Sequence, residues 1–314
     1  MKVYYYTDAE VGVPWPGPDA DFLLPDGRKK YDVPHPRFVW YELPGFEPTT
    51  DPRQSDLFCL RQRVYWLSEQ QLRGLPYLAG NERHHLFFDL GNDGDEKCYR
   101  DFPNIPGIFI RAVCDKPMLA RNPTTVAWPW PVDDLGDYVE PAEFDCDVVF
   151  QGQTANAGNT DLLNSVRRSG LHVLIKTVPS FYGAMPWGTP EKTQLRHEFL
   201  TTMSKARLSL CFRSVPRGVV RYRFYEALSM GRVPVLFCDD AVLPFADRID
   251  YAKCSLWLKE SDAQNAGEIL RDWLDEHDDA ELVEMGRYGR AMWERWLNRA
   301  RGGEIVERVV RERL

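Results

Sequence analysis

The chain has 314 residues, 44% of them hydrophobic and 13% aromatic, which at this length is material for two hydrophobic cores. A formal net charge of −8 and a pI near 5.4 exclude a general nucleic-acid binder, because phosphate backbones are held by summed positive charge. An anionic ligand would need a local basic pocket.

The seven cysteines are scattered, odd in number and never spaced C-x-x-C, so they read as reduced, buried thiols rather than zinc ligands or a disulfide framework. No apolar run approaches the length of a transmembrane segment, and the N-terminus has no charged-then-apolar signal region. The expectation is a soluble, cytoplasmic protein.

In chain order, Val3-Tyr4-Tyr5-Tyr6 predicts a first strand, and Asp8 follows it. From Val11 to Pro52 the chain is rich in Pro, Gly and Asp and reads as a long surface loop. Short apolar runs then recur at Leu57–Leu60, Leu86–Phe88, Ile108–Val113, Val148–Phe150, Val173–Ile175, Leu208–Phe212 and Val233–Phe237. Continuous apolar runs suit parallel strands buried on both faces, and their alternation with helical stretches predicts an α/β fold. Trp128-Pro129-Trp130-Pro131 breaks both periodicities before a fresh strand begins at Asp147, which places a boundary between domains at 1–140 and 141–314. Leu195, Phe199 and Met203 share a helix face, and Ser261 with Gln264 predicts a capping box for a helix burying Ile269, Trp273 and Leu274. The stretch from about 281 to 314 is helical, with its last helices crossing back onto the first domain.

Between Lys205 and Arg232 the acidic chain turns basic. Lys205, Arg207, Arg213, Arg217, Arg221, Arg223 and Arg232 stand against Glu226 alone, seven minus one, or +6. A strand at Leu208–Phe212 leads through Pro216-Arg217-Gly218 into a helix whose first turn holds Arg221 and Arg223. Cations oppose the positive end of the helix dipole there, so a bound anion sharing the site accounts for them. Gly218 permits close backbone approach. Arg223 and Glu226, three apart, are neighbours on one helix face and offer a phosphate donor beside a carboxylate acceptor. The competing readings are a solvated basic face and a plain i,i+3 ion pair.

The ordered run Ser204-Lys205, Pro216-Arg217-Gly218, Arg223-Phe224-Tyr225-Glu226-Ala227-Leu228, Gly231-Arg232-Val233-Pro234-Val235, Asp239-Asp240 and Leu243-Pro244-Phe245 resembles the exostosin family, inverting glycosyltransferases of family 47. The resemblance implies two Rossmann-like domains facing a cleft (GT-B) with a C-terminal helical segment. It also implies a UDP-sugar donor, with xylose, glucuronic acid, galactose or arabinose as the sugar, and a glycan acceptor. Arg217 and Arg223 would then face the diphosphate, and Glu226 the ribose, with Gly218 and Tyr225 beside them. The Phe150-Gln151-Gly152-Gln153 strand end is similar to the glycine-bearing loop that lies under the donor in the family, which adds Gly152. His85-Leu86-Phe87-Phe88 followed by Asp93 is similar to an aspartate-histidine strand of the family, with His84 standing where the family has the aspartate.

The candidate bases are Asp93, His85 and Asp8. His84 and His85 would face opposite sides of a strand, so one of them is structural. No metal or other cofactor is called for, because cations and a helix N-terminus can neutralise the leaving diphosphate. The competing mechanism is a metal-dependent, single-domain transferase using Asp93-Gly94-Asp95 as a D-x-D motif, a pattern that also makes a plain turn. Asp145-Cys146-Asp147 precedes its strand, the wrong side for a nucleotide-metal site. A non-catalytic sugar-nucleotide or glycan-binding protein of the same fold is the remaining alternative. Dinucleotide, P-loop and G-x-S-x-G motifs are absent. The acceptor is expected against the Pro- and Trp-rich loops, Trp130 included, because aromatic faces suit sugar rings.

Overall fold

The computed structural model describes residues 1–12, 43–61, 64, 67–89, 105, 107–112, 114–130, 132–138, 143–152, 157–177, 190–214 and 219–314, with 89, 157, 158, 192, 213, 214 and 219 as backbone. Two parallel sheets carry the chain. The first contains β1 (Lys2–Tyr5), β2 (Glu47–Thr49), β3 (Leu57–Leu60), β4 (His85–Asp89), β5 (Ile108–Arg111) and β6 (Thr125–Ala127) in the order β2-β1-β3-β4-β5-β6. The second contains β7 (Cys146–Gly152), β8 (Val173–Thr177), β9 (Ala206–Ser214), β11 (Val233–Phe237) and β12 (Leu256–Leu258) in the order β12-β11-β9-β7-β8. The two-residue β10 (Val219–Val220) pairs antiparallel with the end of β9.

Numbered within its own sheet, each set follows the doubly wound order 2-1-3-4-5, with β6 extending the first. The fold is α/β with two Rossmann-like units and a C-terminal helical segment. In such sheets the connections leave in opposite directions on either side of the first strand. A crevice opens there, at the carboxyl ends of the strands. In the second sheet the crevice lies between β7 and β9.

The strands form where they do because both faces are covered. Every residue of β3, β5 and β11 is buried, and each is a continuous apolar run apart from Arg111 and Pro234. The sequence reading located the first strand and seven others. It missed β2, β6, β10 and β12, which are two or three residues long and too short to show a period. Of the loop expected over Val11–Pro52, residues 13–42 lie outside the described residues, and β2 occupies part of the rest.

The helices are α1 (Asp8–Val11), α2 (Glu69–Arg73), α3 (Lys116–Arg121), α4 (Ala157–Arg168), α5 (Pro190–Ser204), α6 (Tyr222–Ser229), α7 (Ala266–Asp275), α8 (Asp279–Met292) and α9 (Gly302–Arg313). Helix α7 corrects one expectation. Ser261 and Gln264 do not cap it; Asn265 precedes its first residue, and Ala266, Gly267, Leu270 and Leu274 are its buried positions, with Ile269 and Trp273 half-buried. The helix docks on α4 through the Ser165 hydroxyl, which accepts from the Gly267 N–H at 3.0 Å. Just past α6 and its C-cap Met230, Gly231 turns the chain with a φ of 65°, which few other residues adopt. Helix α8 approaches that turn so closely that a Cβ on Gly286 would lie 2.1 Å from the Gly231 carbonyl oxygen.

One core joins the two sheets. It contains Leu57 and Ile110 of the first, Phe224 and Leu228 of α6, Trp293, and Val306 and Val310 of α9. Helix α9 reaches the turns that lead into β6 and β2 of the first sheet: Arg313 donates to the Thr124 carbonyl at 3.1 Å and Arg311 to the Gly45 carbonyl at 3.3 Å. The carboxyl ends of β5 and β11 also meet, where the Lys116 N–H donates to the Asp240 carbonyl at 3.3 Å and the Lys116 ammonium to the Asp239 carbonyl at 2.6 Å.

Trp128 and Trp130 are 2% and 5% exposed within this shared core, and Phe245 meets Trp128 edge-on at 5.5 Å. They are packing residues, so Trp130 is not the acceptor platform expected from sequence. None of the six described cysteines is in a disulfide, and all six are buried. Among the described residues, no helix is long and apolar enough to cross a membrane.

Candidate functional site

The basic run divides when folded. Lys205 pairs with Asp145 at 3.2 Å, Arg207 with Asp147 at 3.0 Å and Asp279 at 2.8 Å, and Arg232 donates to the Ser204 and Gly231 carbonyls. These three are structural. Arg217 and Gly218 lie outside the described residues, as does the side chain of Arg213. That leaves Arg221 and Arg223 to place.

Arg221 is the N-cap of α6, with extended backbone, and β10 comes just before it, so the first turn holds Arg223 but not Arg221. The Arg223 side chain reaches back across the crevice to β7. Its Nη2 donates to the Gln151 carbonyl, and its guanidinium sits 5.0 Å from the Phe150 ring centroid and 5.3 Å from that of Phe199. A Cβ on Gly152 would lie 2.9 Å from Nη2, so the glycine at the end of β7 makes room for this arginine. Among the described residues no carboxylate lies within 4.0 Å of the guanidinium, and Nε is buried with no hydrogen-bond partner. A cation with no counter-charge among the described residues, at the crevice of a doubly wound sheet, has the chemistry to hold an anion.

The i,i+3 ion pair between Arg223 and Glu226, the competing reading, is not formed. Glu226 is 3% exposed and pairs at 2.5 Å with Arg196 of α5, through Oε1. Oε2 is buried and has no hydrogen-bond partner among the described residues. Burial works against the charge of Arg196, and the Glu226 carboxylate outweighs it, so the guanidinium pKa is held above its ordinary value. Burial, helped by Glu226, also raises the Tyr222 hydroxyl. Burial pushes the Cys211 thiol on β9 up to about 12, against the pull of Arg223, so it is not a nucleophile.

Sequence reasoning missed Arg196. The signal was available: Arg196, Phe199, Leu200 and Met203 fall at helical spacing on one face, and a buried carboxylate in Phe224-Tyr225-Glu226 demands a cation.

Tyr225 corrects the donor set. It is 1% exposed, meets Phe224 edge-on at 5.5 Å and belongs to the core joining the sheets, so it is a packing residue.

His85 is corrected as well. It is fully buried, stacked at 4.9 Å on Phe58. Nδ1 lies 2.8 Å from the Asn81 carbonyl, which only accepts, so Nδ1 carries the proton; Nε2 then accepts from the Tyr6 hydroxyl at 2.8 Å. Burial lowers its pKa to about 4. Both nitrogens are occupied inside the first unit's core, which removes His85 as a base. His84 is exposed beside the Asp56 carbonyl.

Asp8 is exposed at the first position of α1, at the carboxyl end of β1 and so at the crevice of the first sheet. Asp93, with the Asp93-Gly94-Asp95 motif, lies outside the described residues.

The chain was compared with known proteins. Residues 148–273 match the Exostosin GT47 domain. Exostosin-1 of Drosophila melanogaster is 28% identical over 127 residues, 38% of this chain and 15% of that protein. The Exostosin-1 homolog of Caenorhabditis elegans is 40% identical over 58 residues, 18% of this chain and 15% of that one. The matched segments thus span 15% of the length of these curated relatives. Among solved structures, a glycosyltransferase from Rickettsia africae aligns at 10% identity with a TM-score of 0.46, over 83% of this chain and 77% of that one. Anabaena HepE in complex with UDP-glucose aligns at 10% identity with a TM-score of 0.46, over 81% and 78%. The segment matched to the family domain begins in β7, ends in α7 and encloses Gly152, Arg196, Arg223 and Glu226. Over residues 148–273 the chain is thus similar to the Exostosin GT47 domain.

Proposed function

We propose that the protein transfers a sugar from a UDP-sugar to a glycan hydroxyl, with inversion at the anomeric carbon. The observation that carries this reading is the Arg223 guanidinium, at the crevice of the second sheet and one turn from a buried carboxylate; among the described residues the guanidinium has no carboxylate partner and one oxygen of that carboxylate has no hydrogen-bond partner. Residues 141–314 bind the donor. Arg223 and Arg217 hold the diphosphate, Gly218 permits close backbone approach to it, and Glu226 Oε2 accepts from the ribose hydroxyls.

Residues 1–140 present the acceptor. A carboxylate there, Asp93 or Asp8, takes the proton of the acceptor hydroxyl as its oxygen attacks C1. The bond from C1 to the diphosphate oxygen breaks with its electron pair going to UDP, and the arginines stabilise that charge as it develops. No covalent intermediate and no metal ion are required. The donor sugar is among xylose, glucuronic acid, galactose and arabinose.

The test is UDP release from each of these UDP-sugars, with and without a glycan acceptor and with and without EDTA. Turnover of one of them that survives EDTA supports the reading. Turnover abolished by EDTA and restored by Mn²⁺ moves the chemistry to Asp93-Gly94-Asp95. Binding without turnover of any of them leaves a non-catalytic sugar-nucleotide binder. In the active case Arg217→Ala lowers kcat by about 10²–10³, the effect of removing a preorganised charge-stabilising donor.

A further inference from the structure

Helix α5 carries no residue of the proposed donor set, yet one of its faces supports two of them. Arg196 holds Glu226 Oε1 at 2.5 Å, and three residues on, Phe199 lies under the Arg223 guanidinium at 5.3 Å. The two carboxylate oxygens of Glu226 are used unequally. Arginine can take both oxygens of a carboxylate in a fork-to-fork pair. Here one contact is made, and Oε2 stays buried with no partner among the described residues. A buried carboxylate with one oxygen unsatisfied is costly, and natural structures keep such groups where something else completes them. The Arg196 side chain is about a third exposed while that of Glu226 is 3% exposed, so the guanidinium approaches Glu226 from the rim.

We propose that Arg196 is a positioning residue for the donor: it fixes the Glu226 carboxylate so that Oε2 alone faces a vicinal diol of the ligand. The inference rests on the reading of Glu226 as the ribose contact. Arg196 itself touches no reacting atom. Its contribution is to the recognition of the two ribose hydroxyls and not to the diphosphate, which belongs to Arg217 and Arg223.

The experiment titrates the full chain with UDP and with 2′,3′-dideoxy-UDP, which keeps the base and the diphosphate but lacks the diol. The proteins are wild type, Glu226→Gln, Arg196→Ala and Arg196→Lys, with circular dichroism to confirm folding; Arg196→Gln replaces the alanine variant should that one fail to fold. Hydrogen bonds to a charged group correspond to about a tenfold to hundredfold preference of the wild type for UDP over the dideoxy analogue. Arg196→Ala is expected to reduce that preference to within about threefold of unity, to leave dideoxy-UDP affinity within about twofold of wild type, and to be partly rescued by lysine, which restores a point charge without the planar fork. A folded Arg196→Ala protein that keeps the full preference while Glu226→Gln loses it overturns the role of Arg196 and leaves the donor site standing. A Glu226→Gln protein that keeps the full preference overturns the ribose contact itself, and this inference with it.

Discussion

The guanidinium of Arg223 lies over Gly152: Nη2 donates to the neighbouring Gln151 carbonyl and stands 2.9 Å from the point a Cβ on Gly152 would occupy. Two segments more than seventy residues apart are thereby joined across the crevice of the second sheet. A methyl group at 152 displaces the far end of the arginine rather than backbone, so Gly152→Ala should change stability by less than about 1 kcal/mol. Moving the guanidinium forfeits charge-assisted hydrogen bonds to the ligand of about 1.5–3 kcal/mol each, so UDP affinity should fall about tenfold or more. Calorimetric titration beside a urea melt checks both halves.

His85 makes stability depend on pH. Its pKa is lowered by burial from 6.5 to about 4 in the folded chain, so between those values the unfolded chain binds a proton that the folded one refuses. Stability from this residue is complete above pH 6.5 and is lost as pH falls toward 4, by on the order of 3 kcal/mol. Urea midpoints at pH 7 and pH 4.5 should differ by less in His85→Phe than in wild type, although the variant starts lower for want of the Tyr6 hydrogen bond. An equal pH slope in both proteins would remove His85 as its source.

The core shared by the two sheets predicts joint unfolding. Ile305 of α9 is 1% exposed within that core, and Ile305→Ala should cost about 2–5 kcal/mol. Far-ultraviolet dichroism and the fluorescence of the buried Trp128, Trp130, Trp293 and Trp296 should shift together to lower urea. Separate transitions in the two signals would show that α9 stabilises one unit only.

Much of this fold is legible in sequence because its central strands are buried on both faces, and runs such as Val233–Phe237 can hardly be read as anything else. Short edge elements escape: β12 is three residues with Trp257 40% exposed, and β10 is two residues. That Arg223 and Glu226 share one helix is legible from local spacing, which survives folding. Their real partners, Gln151 and Arg196, come from other elements, and spacing within one helix is silent about those. His85 and Trp130 failed for a common reason. Histidine and tryptophan serve ligands and cores equally well, and only burial separates the two uses.

The crevice beside α6 is proposed as a nucleotide diphosphate site with Arg223 in it. The most direct test is calorimetric titration of UDP into the wild-type chain and into Arg223→Ala, with folding of the variant verified by its urea midpoint. Loss of the charge-assisted contacts should weaken UDP binding by on the order of a hundredfold, while a surface cation would change it by less than about fivefold. Wild-type affinity in a folded Arg223→Ala protein would contradict the site proposed here.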